Sequence, residues 1–233
     1  MAMRTDAVLA VWNDVLPPFE AEFNDWYVRD HLPDRLAIPG FRRGRRWLST
    51  GAAPRYFTFY EIDDVGVMHS PAYLARHENP TDWTRKIMPA FVGMNRSTCR
   101  VTARLGSGDG GVAAVVRFAP SAGAAAALRA WVGSDALPAI MRLPGIAGVC
   151  LWELDAEASR RPDTAETRLR ATPDAVVDWV LMIEATRPEE ATRVADIVRS
   201  APAAGAAQVG PIETYRLLCS LSRDPAISDV AVA

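Results

Sequence analysis

The sequence contains little that would direct the protein to an unusual environment. It has three cysteines in 233 residues, and no two of them are spaced as CxxC. This argues against a disulfide framework and against a thiolate metal site. No apolar run approaches the roughly 20 residues of a membrane-spanning helix, and residues 1–6 lack the basic and apolar regions of a signal peptide. We therefore expect a cytoplasmic protein with reduced cysteines.

Lysine is almost missing, since Lys86 is the only one and arginine supplies nearly all the basic charge. The formal net charge is −2, which offers no electrostatic reason to expect nucleic acid or an anionic membrane as a partner. A hydrophobic fraction of 49% is typical of a folded globular chain. The arginine-rich and alanine-rich composition is typical of a GC-rich bacterial genome, so we expect a bacterial protein whose partner is a small molecule.

An internal repeat is the strongest feature that the sequence does contain. The segment WYVRDHLPDRLAIPGFRRGRRW (Trp26–Trp47) aligns without a gap to WVGSDALPAIMRLPGIAGVCLW (Trp131–Trp152), 105 positions later. Seven positions are identical: Trp26, Asp30, Leu32, Pro33, Pro39, Gly40 and Trp47 recur as Trp131, Asp135, Leu137, Pro138, Pro144, Gly145 and Trp152. Such agreement is very improbable by chance, so the sequence predicts a tandem duplication.

The two copies share an order of predicted elements. Short apolar or alternating runs predict strands over Ala7–Asn13, Phe41–Leu48, Arg55–Ile62 and Ser97–Leu105 in the first copy, and over Val112–Phe118, Val176–Glu184 and Glu213–Ser222 in the second. Helical patterns lie between them, and Leu32-Pro33 predicts the end of the first helix. The order βαββαβ, found twice, is the ferredoxin-like plan.

The predicted fold is α+β, with two ferredoxin-like repeats closing on each other as one α/β barrel. In Arg55–Ile62 both faces are apolar, so two sheets packed face to face would bury both and leave room for a cavity between them. The predicted units are a first repeat (1–105), a Gly-rich linker (106–111), a second repeat (112–223) and a tail (224–233). Residues 155–175 are a polar insertion in the second copy.

The linker, GSGDGG, matches the pattern GxGxxG by its letters alone. A dinucleotide fingerprint needs a strand before it and a helix after it, whereas a strand follows here. The segment is therefore interpreted as a flexible connection, and no cofactor is predicted.

The segment from Phe23 to Gly40 resembles the EthD-like branch of the dimeric α/β-barrel superfamily. The likeness is carried by aromatic residues on the first helix, followed by His31, Pro33 and the Pro39-Gly40 turn. It implies a ferredoxin-like barrel that two chains usually build and that two halves of one chain would build here. It implies function only broadly, because the superfamily includes cofactor-free monooxygenases, isomerases, cyclases and haem enzymes.

His31 is the principal catalytic candidate because its counterpart in the second copy is Ala136. An imidazole can accept or donate a proton near neutral pH, and Tyr27 lies one helical turn away. Asp30 completes the predicted catalytic set, although its recurrence as Asp135 favours a structural role as an acceptor for the backbone of the following loop. The alternative for His31 is a helix-end residue that caps carbonyls or faces solvent.

A cluster of arginines is also unique to the first copy. In a strand, Arg43 and Arg45 share a face with Phe41 and Trp47, so this face is predicted to bind substrate, with Trp26 on the helix. The alternative is an edge strand guarded by charge, or a subunit contact. His69 and His77 are too far apart for a tight ligand pair, and no metal is predicted.

These patterns predict a cofactor-free enzyme of isomerase, cyclase, decarboxylase or monooxygenase type. It would act on a small hydrophobic or aromatic compound, with His31 as the proton shuttle. The alternatives are a non-catalytic module that binds an apolar small molecule and, third, a haem binder with a histidine ligand. The sequence is also compatible with two chains that pair as a homodimer.

Overall fold

The structure is a computed structural model that describes residues 5–51, 54–170, 173–199 and 207–223. The predicted tail and the first four residues lie outside this part of the chain. Within the described residues there are eight strands: β1 (Ala7–Val15), β2 (Phe41–Ser49), β3 (Tyr56–Ile62), β4 (Phe91–Gly106), β5 (Val112–Pro120), β6 (Ile146–Leu154), β7 (Trp179–Ala185) and β8 (Ala207–Ser222).

The strands form a closed antiparallel barrel in the order β1-β3-β2-β8-β5-β7-β6-β4. Read from β4, the ring contains the ferredoxin-like order 4-1-3-2 and then its equivalent 8-5-7-6. The predicted α+β fold, with two ferredoxin-like repeats in one barrel, is confirmed. The interpretation of the arginine-rich strand as a sheet edge is wrong, because β2 pairs with β3 on one side and β8 on the other.

Helices cover the outside of the barrel. Those of the described residues are α1 (Glu20–Trp26), α2 (Leu32–Leu36), α3 (Pro71–Glu78), α4 (Asp82–Ile87), α5 (Ala125–Trp131), α6 (Leu137–Met141), α7 (Ala165–Arg168), α8 (Pro188–Thr192) and α9 (Val194–Arg199). Short 3-10 turns occupy Pro17–Phe19, Val65–His69 and Met88–Ala90.

The first helix does not end at Leu32-Pro33, so that prediction is wrong. A π-helical turn (Tyr27–His31) joins α1 to α2, and the Leu32 N–H donates to the Tyr27 carbonyl, five residues back. The wider turn accommodates Pro33, which lacks an N–H and would collide with the carbonyl of a regular helix. The same turn recurs at Val132–Ala136, ahead of Pro138.

The strand registers repeat as well as the helices. In the first sheet Ala7 lies opposite Ile62 and Arg100, and in the second Val112 lies opposite Ala185 and Arg216. We call Ala7–Gly106 the N-terminal half and Val112–Ser222 the C-terminal half. Strands β4 and β8 are longer than predicted, because each pairs along its length with strands from both halves.

The barrel interior is filled with side chains. Trp12 and Phe57 stack with ring centroids 4.7 Å apart, and Phe59 contacts Trp152 at 5.1 Å. The cavity predicted between the two sheets therefore gives way to a packed aromatic core. A second core lies between the N-terminal sheet and its helices, and a third lies at the equivalent place in the C-terminal half.

A β-bulge in β2 changes which side chains share a face. The pairing with β3 shifts between Phe41 and Arg43, so Phe41 packs under the helices while Trp47 lies in the barrel interior. The prediction that Phe41 and Trp47 share a face is wrong, because the extra residue of a bulge reverses the alternation.

Candidate functional site

A cavity of about 30 Å³ lies outside the barrel, between the N-terminal sheet and its helices. Its floor includes Leu9 and Val11 of β1 and Tyr60 of β3. It is partly covered by residues 155–170 and 173–175, which we call the cover segment and which belong to the C-terminal half. A cavity of this size holds a few water molecules. A larger ligand therefore requires the cover segment or the lining side chains to move.

His31 lies at this cavity, on the π-helical turn. Its ring is 8% exposed, stacks on Trp26 with centroids 4.3 Å apart, and meets the edge of Tyr27 at 5.1 Å. Nδ1 has no hydrogen-bond partner. Burial, reinforced by the positive charges of Arg35 and Arg170, holds the pKa of His31 well below its usual value. The imidazole is therefore neutral at neutral pH, and the alternative that it faces solvent is wrong.

Tyr27 is held beside His31 by a buried cation. The Arg46 guanidinium lies 4.3 Å from the centre of the Tyr27 ring and 4.8 Å from that of Phe23. Its Nη1 donates to the Asn24 amide oxygen at 2.8 Å. Such cation–π contacts stabilise the ring position. Burial raises the pKa of Tyr27, so its hydroxyl is protonated at neutral pH.

Trp26 and Asp30 attach this helix to α4. The Trp26 indole N–H donates to the Thr84 hydroxyl at 3.1 Å. Asp30 accepts from the hydroxyls of Thr81 at 2.8 Å and Thr84 at 3.2 Å. The expectation that this carboxylate binds the backbone of the following loop is therefore corrected. Trp26 does not line the cavity, but it positions His31 by stacking on it.

The structure does not bring Arg43, Arg45 and Trp47 to this cavity. Arg45 is fully buried inside the barrel, where it pairs with Glu184 at 2.5 Å and lies 4.7 Å from the Trp47 ring centre. Arg43 pairs with Asp109 of the connecting segment at 2.9 Å. The sheet separates these residues from His31, so the predicted substrate-binding set is divided between two places.

The second histidine of the cavity is His77, on α3. Its Nδ1 lies 3.7 Å from the Glu166 carboxylate, which also accepts a hydrogen bond from Arg35. Burial, with Arg35 and Arg96 nearby, holds the pKa of His77 well below its usual value. Pairing it in sequence with His69 concealed this role, because His69 is exposed on the preceding 3-10 turn.

The arginines of the cavity were also missed. Arg96 on β4 donates to the Tyr73 hydroxyl at 2.8 Å, and Arg170 in the cover segment pairs with Asp174 at 2.8 Å. One signal in the sequence concerned Arg170, because the polar insertion that carries it has no counterpart in the first copy. That signal does not show that Arg170 lies at the same cavity as Arg96.

The described residues contain no group of three His, Cys, Asp or Glu side chains able to hold a metal ion. Haem does not fit the described residues as they are arranged. The cavity of about 30 Å³ would have to open much further for a porphyrin than for a small aromatic compound, and both histidines of the cavity pack against aromatic rings. In the part of the chain that the structure describes, no helix combines the length and apolar character needed to cross a membrane.

No family profile and no curated protein matches this sequence. Solved structures do match its fold. An anthrone oxidase-like protein superposes with a TM-score of 0.60 at 11% identity, covering 99% of each chain. A putative chlorite dismutase gives 0.58 at 13% identity, covering 93% of this chain and 96% of the other. A putative monooxygenase from Fusobacterium nucleatum gives 0.55 at 10% identity, covering 95% and 96%. At these identities the likeness establishes the fold alone: an α/β barrel of the dimeric type, built within one chain.

Proposed function

We propose that this protein is a cofactor-free enzyme that acts on a small aromatic or hydrophobic compound, with His31 as its proton shuttle. The observation that carries the proposal is a neutral, buried imidazole with an unpartnered Nδ1 at the edge of a cavity that apolar side chains and arginines line together. For compounds with a carbonyl or phenol group, isomerisation, cyclisation, decarboxylation and oxygenation can each proceed through a proton transfer that a general base assists.

The electrostatics of the cavity support this chemistry. The neutral His31 accepts a proton from the substrate, and the anion that forms lies among the positive charges of Arg35 and Arg170. Fixed charges in a site that excludes water stabilise developing negative charge more strongly than water does. The substrate anion in turn offsets the cost of the new imidazolium beside the same arginines.

The comparisons support the proposal at the level of fold. Proteins of this shape include ones named as a putative monooxygenase and as anthrone oxidase-like. Within the proposal, the Phe23–Gly40 motif assigns the chain to the EthD-like branch, and its repeat reflects duplication of a half-barrel gene. Oxygenation of a phenolic or anthrone-type compound is the reaction class to test first.

The test is turnover of a panel that begins with anthrone, followed by absorbance and by oxygen consumption. Replacing His31 with Ala or Gln is expected to lower kcat by about 10²–10⁴-fold, the usual contribution of a general base. His69→Ala is the matched control, because His69 lies in the same half but is exposed. Turnover that survives both His31 substitutions would exclude the assigned role.

A non-catalytic binding module is the second candidate, and the attachment of the cover segment to the barrel favours it. The Arg96 and Ala175 backbone N–H groups bond across to the carbonyls of Ala175 and Met94, each at 2.9 Å, so the cover is joined to β4. A module that sequesters its ligand is expected to bind without converting it. Its affinity would also tolerate His31→Gln.

A further inference from the structure

The arginines of the cavity differ in how far carboxylates neutralise their charge. Arg35, Arg96, Arg161 and Arg170 all line the cavity beside Glu166 and Asp174, and Arg35 also pairs with Asp34 at 3.1 Å. A buried cation is stable only when it is paired or fully hydrogen-bonded. An arginine without a carboxylate partner therefore indicates that a ligand of the cavity carries negative charge.

Both carboxylates are already engaged. Glu166 accepts from Arg35 and lies beside His77, and Asp174 pairs with Arg170. Arg96 is 6% exposed and has no carboxylate partner among the described residues. Its Nη2 donates to Tyr73, whereas its Nη1 is buried without a partner. A guanidinium in this state is poised to receive an anion.

Other unpartnered donors lie in the same wall. Arg170 Nε and the Tyr60 hydroxyl are buried without partners, and both residues line the cavity with Arg96. Arg96 and Arg170 lie in the same wall, since Arg170 Nη1 is 3.7 Å from the Met94 sulfur, two residues before Arg96 on β4, and both arginines line the cavity. Three donors thus converge on one cavity, and two of them carry positive charge.

Apolar side chains form another part of the lining. Leu9, Val11, Met88 and Phe91 contribute to the same cavity. A ligand that satisfies both parts has one anionic group and an apolar body. A planar carboxylate suits guanidinium donors best, because its two oxygens can each accept an N–H.

We propose that the ligand of this cavity is an organic acid whose carboxylate is bound by Arg96 and Arg170. The proposal deepens the proposed function by naming the substrate class, but it is tested by binding rather than by turnover. A comparison with the C-terminal half supports the proposal. When β4 and β8 are aligned from their first residues, the position of Arg96 is occupied by Ile212. Strand pairing therefore does not require a cation at this position.

The test compares acetate with its neutral isostere acetamide, by calorimetry and ligand-observed NMR at constant ionic strength. Acetate is small enough for the cavity as it stands, and benzoate with benzamide then tests the apolar part. The carboxylates are expected to bind and the amides to bind at least tenfold more weakly. Arg96→Met and Arg170→Met are each expected to weaken acetate binding about tenfold or more, the value of one charge-assisted hydrogen bond.

The control is Arg129→Met, an arginine on α5 of the C-terminal half that pairs with Glu153 outside this cavity. Circular dichroism checks that each variant is folded, and the two cavity variants serve as independent tests. Equal affinity for acetate and acetamide, or acetate affinity unchanged in both cavity variants, overturns the proposal. Phosphate binding that is tighter than acetate binding also overturns it, in favour of a phosphorylated ligand.

Turnover by the parent protein and by His31→Gln separates this proposal from the proposed function. A parent protein that binds acetate but turns over no substrate supports the carboxylate site and counts against the enzyme. Turnover that depends on His31 in a protein that does not bind acetate or benzoate supports the enzyme and overturns the carboxylate site.

Discussion

The two halves of the barrel share a framework but fill the space between sheet and first helix with different chemistry. On the helix, Tyr27, His31 and Arg35 of the N-terminal half stand where the C-terminal half has Val132, Ala136 and Ile140. On the strands, Arg46, Tyr60 and Arg96 correspond to Leu151, Ile183 and Ile212. The C-terminal half shows that apolar residues are sufficient for this packing. The polar set of the N-terminal half is therefore not a requirement of the fold.

The halves also differ in the connection between their second and third strands. Residues 50–55 make a short link in the N-terminal half, whereas residues 155–178 make a long one in the C-terminal half. The long link crosses to the other half, where Glu166 bonds to Arg35 and Ala165 bonds to Glu78. One half thus supplies the histidines, and the other supplies their cover.

The largest expected effect comes from replacing Arg35 with isoleucine, the residue found at the equivalent position, Ile140, of the C-terminal half. Arg35→Ile leaves the buried Glu166 carboxylate without its cation, and a broken buried pair costs about 3–5 kcal/mol of unfolding free energy. Urea unfolding measures the loss. Arg35→Ile/Glu166→Leu is expected to recover much of it, since no uncompensated charge remains.

Arg168→Gln is the matched control in the cover segment, because Arg168 is 57% exposed and its ion pairs lie at the surface. It is expected to cost under about 0.5 kcal/mol. An Arg35→Ile loss as small as that of the control would contradict the assigned pairing.

The second effect tests whether the C-terminal half truly lacks a cavity. Ala136 is buried in a packed apolar core, so Ala136→His is expected to destabilise the protein by about 1–3 kcal/mol through overpacking. Thermal and urea unfolding both report this change. A variant as stable as the parent would reveal unfilled space at the position equivalent to His31 and would end the contrast between the halves.

The third effect is a dependence of stability on pH that comes from the N-terminal half. His31 and His77 have folded pKa values below the unfolded value of about 6.5. As the pH falls below about 6.5, the unfolded state therefore binds more protons than the folded one. The free energy of unfolding therefore decreases as the pH falls, by up to about 1.4 kcal/mol per pH unit for each histidine.

Glu61 changes stability in the opposite direction, because burial raises its pKa to about 7 and the folded state then binds more protons than the unfolded one. Histidine variants separate the two effects. His77→Gln is expected to flatten the decline between pH 6.5 and pH 5, and the exposed His69→Gln to leave it unchanged. Equal slopes for the two variants would show that His77 is charged in the folded protein.

The smallest effect compares the two aspartates that the repeat preserves. Asp30 accepts hydrogen bonds from two threonine hydroxyls, so Asp30→Ala is expected to cost about 1–2 kcal/mol. Asp135 is exposed and bonds to its neighbour Ser134, so Asp135→Ala is expected to cost under about 0.5 kcal/mol. Equal losses of unfolding free energy would mean that each aspartate stabilises its own helix, and that the hydrogen bonds from the threonine hydroxyls to Asp30 add nothing.

Prediction from sequence succeeded where the signal is local or periodic. The alternation in RYFTFYEI correctly placed Phe57 and Phe59 on one face and Tyr60 on the other, since strand side chains alternate. It failed at the bulge beside Arg43 and at the π-helical turn before Pro33, where one extra residue changes the phase. Neither irregularity has a reliable sequence signature.

For the site, the sequence identified His31 and Tyr27 through their absence from the second copy, and both line the cavity. It placed Arg43 and Arg45 in the same site as these residues, although the sheet separates the two pairs. It offered no way to select Arg96 from the chain's other arginines, because being buried without a counter-ion is a property of packing.

The sequence by itself determined the framework of this protein: two ferredoxin-like repeats, their order of elements, and the faces of their regular strands. These follow from periodicity and from turn residues, which act over a few positions. Only the tertiary structure decided where the cavity lies and what charges it. Arg35 and Glu166 are separated by 131 positions, and their contact depends on how the cover segment crosses between halves. Such a contact arises from the packing of distant segments, and no local pattern records it.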